Sequence, residues 1–449
     1  CKKESFITSM DAVLSTSVDT LSYDTVFTSV GSVTQSFKIF NNNNQKLLLS
    51  QVKLAGGNSS SFKINVDGTS ADEVDNIEVN ANDSLYVFVQ VKIDPASGSL
   101  PFIIRDSILI NYNGNKKFVQ LQAYGQNANF LKSVKLTGNL TWTNTLPYVI
   151  LGGLLVDSNA VLTIEKGTKI YLHPNAPFLV DGTLIVKGTK GARVVFAGDR
   201  LDPGYVDFPA SWPGIYFRGS SKKNVLTFAV IKNAYQGIVA RDLSLNATPK
   251  VNLSQCIIDN VYDAGIFGIN TTISADNCLI SNCGKNIFIA LGGSYSFVHC
   301  TVASYGNFFI DHKNPVLQIS NAADQGNTTL TAPLNATFTN CIFWGEGGPV
   351  DNEILIAKEA TGNPFSIRFD NLLYKLKDAD PADATFSGNV LKNMDPLFDS
   401  IDVSKNYYDF HFRKDPAAPA IDMGSVTSFK QDLDDSLRIG VPDLGCYER

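Results

Sequence analysis

Five segments of the chain share one eight-residue pattern, and their spacing constrains the fold more than any other feature of the sequence. Each segment has Ala or Cys at its fourth position and an apolar residue two positions later. A period in the twenties that carries short β-branched segments is typical of a β-solenoid, in which each rung buries its apolar face by stacking on its neighbours. The fourth positions are Ala229, Cys256, Cys278, Cys300 and Cys341, and a sixth segment has Leu372 in that place.

Two further positions of the repeat are predicted to be corners. The residue before the fourth position is most often Asn, which tolerates left-handed backbone geometry, so we predict a bend between two strands there. A second polar residue follows four positions after the Ala or Cys and predicts the next corner. The first set is Gln255, Asn277, His299, Asn340 and Asn371, and the second is Asn233, Asn260, Asn282 and Ser304.

Residues 21–127 alternate between apolar and polar residues in six or seven short stretches separated by Gly, Asn, Asp and Pro. This pattern predicts a β-sandwich. The order of the stretches, with Asn41–Asn44 after an early strand, a strand at Phe62 and then Ser84–Val91, resembles the immunoglobulin-like modules of the ASH and major-sperm-protein type. Residues 1–20 are predicted to be a tether.

Between the sandwich and the repeats, short apolar strands are punctuated by Gly167, Gly182, Gly188 and Gly198. Glycine at regular intervals supplies the tight corners of a rung. This stretch resembles the opening rungs of right-handed parallel β-helix proteins, which are common among secreted and surface proteins of Bacteroidota. We therefore assign residues 133–393 to a right-handed, single-stranded parallel β-helix of the pectate-lyase-like type, in an all-β chain.

The last segment, residues 394–449, does not continue the repeat. Its stretches DPLF, APAIDMG, DLDDSLR and DLGCYE resemble the C-terminal tail of choice-of-anchor Q type β-helix proteins, whose pattern is DPLF, SPAIDAG, DxDGxxR and DIGAYE. Ala418, Asp435 and Cys446 depart from that pattern. Because an open solenoid end exposes strand edges and apolar interior, we expect the tail to cap the β-helix.

The charge of the chain bears on its partners, and the positions of its cysteines bear on whether they form disulfides. The net charge of −6 and the pI near 5.3 argue against nucleic acid as a partner. The cysteines of the repeat are expected to be buried free thiols, because side chains stacked in register point the same way and fit disulfide geometry poorly.

The first residue is Cys1, followed by a polar stretch. A mature chain that begins in this way resembles a bacterial lipoprotein whose N-terminal Cys carries the lipid anchor; the alternative is an arbitrary chain boundary. The resemblance implies an outer-membrane, lipid-anchored protein, with the surface and periplasmic leaflets both open, and we expect a monomer.

Many β-helix proteins of this kind cleave polysaccharides, so acids and bases are examined as candidate catalytic residues. The active site of such proteins usually lies on the outer surface of the longest sheet. Whichever alternate set of side chains points outward there, the strand segments that we assign to it carry no acid, base or metal ligand. Charged residues occur instead at strand ends and in loops, where a solvated loop is the competing interpretation. The candidates are Asp202, Asp207, Arg241, Asp242, Asp311, His312 and Lys313, and the acidic loop around Asp202 could also hold Ca²⁺; no other cofactor is expected.

Aromatic residues are the candidate ligand-binding groups. Trp212 follows the acidic loop, and Phe267, Phe288 and Phe309 are predicted to form an outward column if Ile266, Ile287 and Phe308 face the interior. An apolar stripe of that size needs a cover. Sugars, the excursion at residues 311–335 or the sandwich could supply it, and the opposite phase would make the rings ordinary core.

We therefore predict a non-catalytic surface protein for binding or adhesion, with a glycan or another envelope protein as its partner. A long parallel rod offers a repetitive polar surface, and the expected active face lacks catalytic groups. The rival hypothesis is a polysaccharide lyase or glycoside hydrolase that uses the loop residues named above.

Overall fold

A computed structural model of the chain describes residues 5–27, 34–92, 102–201, 205–246, 248–326, 328–360, 362–415 and 417–449. Cys1 and Asp202 lie outside these residues. The described chain forms two compact units, a β-sandwich and a parallel β-helix that includes the C-terminal tail. The fold class predicted from the sequence is confirmed.

Nowhere in the described residues is there a helix with both the length and the hydropathy needed to cross a bilayer.

The N-terminal unit is built from two five-stranded sheets whose inner faces are apolar. The period-two alternation of the sequence places every second side chain in the space between the sheets. One sheet contains Leu14–Thr16, Gln35–Asn41, Ser84–Val91, Phe62–Val66 and Thr69–Ser70. The other contains Thr20–Phe27, Asn115–Gln126, Phe102–Tyr112, Leu47–Leu54 and Glu73–Val79, and a short 3-10 helix spans Gly57–Ser59.

The structure differs from the predicted tether at residues 1–20. Leu14–Thr16 is a strand that pairs with Gln35–Asn41, and the side chains of Ala12 and Leu14 are buried in the core of the sandwich. Phe6 forms a further bridge with Lys46. The described part of this segment therefore belongs to the folded sandwich, because its few apolar residues pack even though its composition is polar.

The β-helix has three parallel faces, here called A, B and C, and each strand pairs with the equivalent strand of the next rung. Face A contains Phe178–Val180, Ile215–Phe217, Gln236–Arg241, Leu317–Ser320 and Ile354–Ala357. Face B contains Asn139–Trp142, Val161–Glu165, Thr183–Lys187, Asn224–Thr227 and Val251–Ser254. Face C contains Lys169–Leu172, Val194–Gly198, Ala229–Lys232, Ile257–Asp259, Leu279–Ser281 and Thr301–Ser304.

Longer strands turn a corner and contribute to two faces. Asn129–Leu136 and Tyr148–Val156 join C to A, Ala264–Asp276 and Lys285–Val298 join A to B, and Leu334–Gly345, Phe365–Tyr374 and Thr385–Lys392 join B to C. Two antiparallel hairpins complete the unit, Ala322–Gln325 with Thr328–Thr331 and Phe398–Asp402 with Tyr407–Phe412, the second enclosing a 3-10 turn at Val403–Lys405.

The predicted bends have left-handed backbone, with the exception of Ser304, which is the last residue of the strand Thr301–Ser304. The φ values of Gln255, Asn277, His299, Asn340 and Asn371 lie between 48° and 56°; these five residues are called the B–C corner column. Phe228, which has no polar side chain, occupies the equivalent bend one rung earlier with φ 46°. Asn233, Asn260 and Asn282 form a second left-handed column between faces C and A.

Cysteines and aromatic rings fill the interior of the β-helix. Cys256, Cys278, Cys300 and Cys341 are fully buried on successive rungs, and the six cysteines that the structure describes are free thiols, as predicted. Inside face B the rings of Phe297, Phe338 and Phe369 stack with centroids 5.3 and 5.0 Å apart. Stacking in register lets each rung bury its neighbour's apolar surface.

The structure places the C-terminal tail along the outside of face C. The outward column of this face is mostly apolar: it includes Leu279, Ile342 and Leu373, with Thr301 between the first two. Buried tail residues pack on it and form a second core outside the helix: Phe398, Phe410, Phe412, Ala418, Ala420, Leu433, Leu444, Cys446 and Tyr447. The described tail thus covers a lateral face, where the sequence had suggested a cap over an open end.

Candidate functional site

Phe267 and Phe288 face outward from face A. The neighbouring Ile266 and Ile287 are fully buried in the interior core, and alternation along the strands places the two rings on the opposite side. Their column continues to Val239 on one side and to Gln318 on the other. The column therefore lies on the outer surface of the β-helix, as predicted for the case in which Ile266 and Ile287 face the interior.

The two rings stack on each other, which limits their use to a ligand. Their centroids are 4.8 Å apart with planes inclined by 21°, and both side chains are half-buried. The ammonium group of Lys285 lies 5.1 Å from the centroid of Phe288. Much of the ring surface is thus occupied by contacts within the protein, and these rings mainly stabilise the sheet.

Phe309 does not belong to this column, which corrects the sequence assignment. The strand of its rung is Leu317–Ser320, and Gln318 takes the position expected for Phe309. Residues 305–316 instead form an excursion from face C, on which Phe309 contacts Phe208 with ring centroids 5.0 Å apart. The sequence misled because the segment at 307–310 has the composition of its neighbouring strands.

Trp212 is not available to a ligand, contrary to expectation. Its side chain is fully buried in the core of the helix, and its indole Nε1 donates a hydrogen bond of 2.9 Å to the carbonyl of Lys232. The residue fills the corner where the chain enters face A at Ile215–Phe217. Trp212 is therefore a packing residue.

Four of the candidate catalytic residues form two exposed ion pairs with each other. Arg241 Nε lies 3.3 Å from Asp242 Oδ2, and Lys313 Nζ lies 2.5 Å from Asp311 Oδ2. All four side chains are more than half exposed. Such pairs gain little energy in water, and the two pairs lie on separate loops. The structure does not bring these residues together in one site.

His312 is buried and has a partner that the sequence did not reveal. Its Nε2 lies 2.8 Å from Glu353 Oε1, and both side chains are almost completely buried. The other carboxylate oxygen of Glu353 accepts a hydrogen bond from the backbone NH of Val316. The pair holds the second half of the excursion 305–316 against the β-helix, so His312 acts there as a structural group.

A surface that the sequence argument missed lies at the corner between faces C and A. It presents five exposed rings on the described residues, and we call it the aromatic corner. Tyr235 and Tyr262 occupy equivalent positions on successive rungs, with centroids 5.8 Å apart and planes inclined by 26°. The members are Phe208, Tyr235, Tyr262, Phe308 and Phe309, with exposed fractions of 46%, 46%, 53%, 71% and 37%.

Asn260 positions the loops of the aromatic corner. Its left-handed backbone turns the chain toward Tyr262, and its amide Nδ2 donates to the carbonyl of Asp207 at 2.7 Å. Its Oδ1 accepts from Asn307 Nδ2, also at 2.7 Å. One corner asparagine therefore holds the loop that carries Phe208 and the excursion that carries Phe308 and Phe309. The sequence signal was a tyrosine two residues after a corner asparagine in two consecutive repeats.

Polar groups line the edge of face A beside the two tyrosines. Asp263 follows Tyr262 directly; its Oδ2 accepts from Gln236 Nε2 at 2.8 Å and its Oδ1 lies 3.2 Å from Lys285 Nζ. The nearby Tyr216 has a raised pKa because it is buried, with Tyr235 and Asp263 adding to the effect. Donors, acceptors and apolar rings thus lie within one short stretch of surface.

A buried carboxyl group lies next to this corner. Burial raises the pKa of Asp259, whose Oδ1 accepts a hydrogen bond of 2.6 Å from Ser281. Asp207 and Lys232, which are 3.6 Å apart, both influence Asp259 electrostatically. A carboxyl group with a raised pKa is one part of a glycosidase site, which also needs a second carboxylate across the sugar bond.

The parts of the chain that the structure describes contain no cluster of metal-binding side chains. No group of three or more His, Cys, Asp or Glu side chains is placed there to hold an ion. The arrangement of the aromatic corner, with exposed rings beside hydrogen-bonding groups, suits recognition of a ligand by stacking and hydrogen bonds.

No protein-family model matches the chain, and no curated protein matches it. Among solved structures it is similar to a family 123 glycoside hydrolase from Clostridium perfringens, with 10% identity, a TM-score of 0.18 and 25% of each chain covered. It is also similar to the ASH/PapD-like domain 7 of human CEP192, with 9% identity, a TM-score of 0.17, and 25% of this chain and 84% of that chain covered.

A third similarity covers more of the chain. The catalytic unit of a thermostable GH87 alpha-1,3-glucanase from Streptomyces thermodiastaticus strain HF3-3 is 11% identical, with a TM-score of 0.25, and the match covers 80% of this chain and 88% of that chain. Identities and TM-scores this low leave the function to be argued from the site itself.

Proposed function

We propose that this protein binds a glycan at the aromatic corner and does not cleave it. The observation that carries the proposal is the pair Tyr235 and Tyr262, which stand on successive rungs, are about half exposed and lie 5.8 Å apart. Tyrosine supplies an apolar ring for the face of a sugar while its hydroxyl group stays in water.

The polar neighbours of the two tyrosines support the same ligand. Asp263, Gln236 and Lys285 already form a hydrogen-bonded chain, so they are held in place before a ligand arrives. Fixed acceptors and donors beside an exposed ring suit the hydroxyl groups at the edge of a pyranose, and groups that are already ordered lose less entropy on binding.

The test compares the full-length protein with Tyr262→Ala on a glycan array, followed by calorimetric titration of the best glycan. We expect the substitution to weaken binding by about tenfold or more, because a stacked ring is lost. Tyr407→Ala is the matched control, since Tyr407 is equally exposed at 53% but lies in the tail hairpin. Equal affinity of the three proteins would contradict the proposal.

A second candidate function, glycoside hydrolysis, is favoured by the raised pKa of Asp259 near Asp207. It is tested by incubating the protein with pectic, alginate and glycosaminoglycan substrates and measuring reducing and unsaturated ends. Release of either product that is abolished by Asp259→Asn would replace the binding proposal with an enzymatic one. No release, together with binding that depends on Tyr262, would support recognition without cleavage.

A further inference from the structure

A groove on face B lies away from the aromatic corner and has no assigned role. Its outer wall is formed by Leu243, Ser244, Asn246, Thr248 and Pro249, and its floor is the outer surface of Ala264–Asp276 and Lys285–Val298. The groove has a volume of about 360 Å³. Pockets that hold small ligands begin at about this size.

The floor of the groove carries serine hydroxyl groups that face outward. Ser274 and Ser296 are directly opposite each other in the parallel register, and Ser294 lies two residues before Ser296. Within the described ranges these three hydroxyl groups form no hydrogen bond to another protein group. Each hydroxyl offers one donor and two acceptors, so the floor presents hydroxyl groups that a ligand can reach at the rung spacing of about 4.8 Å.

The wall of the groove is fastened at its base. Lys250, which follows the loop, is fully buried, and its ammonium group donates to the carbonyls of Arg218, Gly219 and Arg241 at 3.1, 2.9 and 2.8 Å. Its backbone NH also donates to Thr272 at the groove floor. A charged side chain that spends all three of its donors on backbone carbonyls fixes the end of the loop over the sheet.

The lining of the groove determines the charge of its ligand. Hydroxyl, amide and apolar groups line it, with Asn246 and Thr248 on the wall, and the lining includes no Asp, Glu, Lys or Arg. A charged ligand would lose hydration here and gain no ion pair in return. On the next rung the floor continues with Asn335 and Thr337, so the polar surface extends along the axis of the β-helix.

We propose that this groove binds a segment of a neutral polysaccharide, with its sugar hydroxyl groups hydrogen-bonded to Ser274, Ser294 and Ser296 and its chain running along the helix axis. The groove is a second glycan site whose argument does not depend on the aromatic corner. A neutral chain fits both the uncharged lining and the open end of the groove.

The experiment titrates the full-length protein with cellohexaose, laminarihexaose and xylohexaose, and with a hexagalacturonate as the charged comparison. The test variant is Ser274→Val with Ser296→Val, which removes two hydroxyl groups and keeps residues that strands favour. Ser36→Val is the matched control, because Ser36 is an exposed serine on a strand of the sandwich, which is a separate unit. Tyr262→Ala separates this site from the aromatic corner.

We expect at least one neutral hexasaccharide to bind, with affinity reduced about tenfold or more in the double variant and unchanged in Ser36→Val. Retained binding in Tyr262→Ala would assign that binding to the groove. Binding that is lost only in Tyr262→Ala would overturn the groove and leave the proposed function in place. No binding of any neutral hexasaccharide, or tighter binding of the hexagalacturonate, would overturn the inference.

Discussion

Asp276 shows how burial on the rim of face B changes the chemistry of one side chain. Its carboxylate accepts a hydrogen bond of 2.7 Å from Ser254, yet burial raises its pKa to about 6. In the unfolded chain the same group titrates near 3.8. The folded state therefore retains this proton over a pH range in which the unfolded state has lost it, and the residue contributes a pH dependence of known sign.

We predict that Asp276→Asn stabilises the protein at alkaline pH and has no such effect in acid. The stabilisation from the bound proton is fully present below pH 3.8 and is lost as the pH rises through 6, so the wild type is penalised above that value. The variant should gain at most about 3 kcal/mol near pH 8. Unfolding midpoints measured from about pH 3.5 to pH 8 check this, and a pH-independent difference would contradict the assignment.

The bends are the elements that the sequence predicts best. Asn277, Asn340 and Asn371 stand where the backbone must be left-handed, and the chemistry of Asn makes that position visible without coordinates. Phe228 has the same geometry with no such signal, because the surrounding rungs impose its backbone. The conformational preference of a residue type therefore predicts a bend where that residue suits the left-handed backbone. It gives no prediction where packing between rungs imposes the conformation.

Other elements could not be predicted from local pattern. The strand Leu317–Ser320 follows an excursion that resembles a strand in composition, and its true rung is fixed by long-range pairing with Lys285–Val298. Tyr235 and Tyr262 carried a usable signal, since each follows a corner asparagine by two residues. The partnership of His312 with Glu353 joins residues 41 positions apart and leaves no trace in the sequence.

His299, in the B–C corner column, makes the stability of the fold sensitive to acid. Its Nε2 accepts a hydrogen bond of 3.0 Å from Asn340 Nδ2, and burial, helped by the charge of Arg438, lowers its pKa to about 3. The folded state holds the neutral ring while the unfolded chain takes up a proton near pH 6.5. The stabilisation is thus present above pH 6.5 and is lost as the pH falls toward 3.

We predict that His299→Asn reduces the loss of stability between about pH 7 and pH 4.5, by up to about 2.7 kcal/mol. Asn suits the left-handed bend, as in the neighbouring rungs, and cannot take up the proton. Thermal unfolding across that range measures how steeply the stability changes with pH. This slope can be compared between the proteins even if the variant differs in stability at neutral pH. Equal slopes for wild type and His299→Asn would refute the prediction.

At the scale of the whole β-helix unit, the tail and the corners form one system. The tail follows the B–C corner column along face C: Gln255 donates to the carbonyl of Asp432 at 2.6 Å, and Asn340 donates to that of Ser425 at 2.8 Å. The same side chains that allow the bends therefore bind the segment that covers the apolar outer surface of face C. This second core joins residues more than a hundred positions apart, so sequence periodicity could not reveal it.

Arg438 is the central polar contact of this system. Its guanidinium group donates to Glu448 Oε2, Asn277 Oδ1 and the carbonyl of Gly445, each at 2.9 Å, and its side chain is 2% exposed. Removing it leaves the carboxylate of Glu448 buried without its cation, which typically costs about 3–5 kcal/mol. Because the lost contacts hold the tail against the β-helix, the tail should detach before the rungs unfold.

We predict that Arg438→Ala shifts tryptophan emission to longer wavelength at temperatures below the main unfolding transition. Trp344 packs in the second core on face C, whereas Trp142 and Trp212 lie in the interior core and report on the rungs. Detachment of the tail exposes Trp344 to water and leaves the other two buried. Lys405→Ala, which removes an exposed ion pair with Asp402 in the same tail, should leave the emission unchanged. A single transition at the wild-type temperature in Arg438→Ala would show that the apolar contacts hold the tail without this buried ion pair.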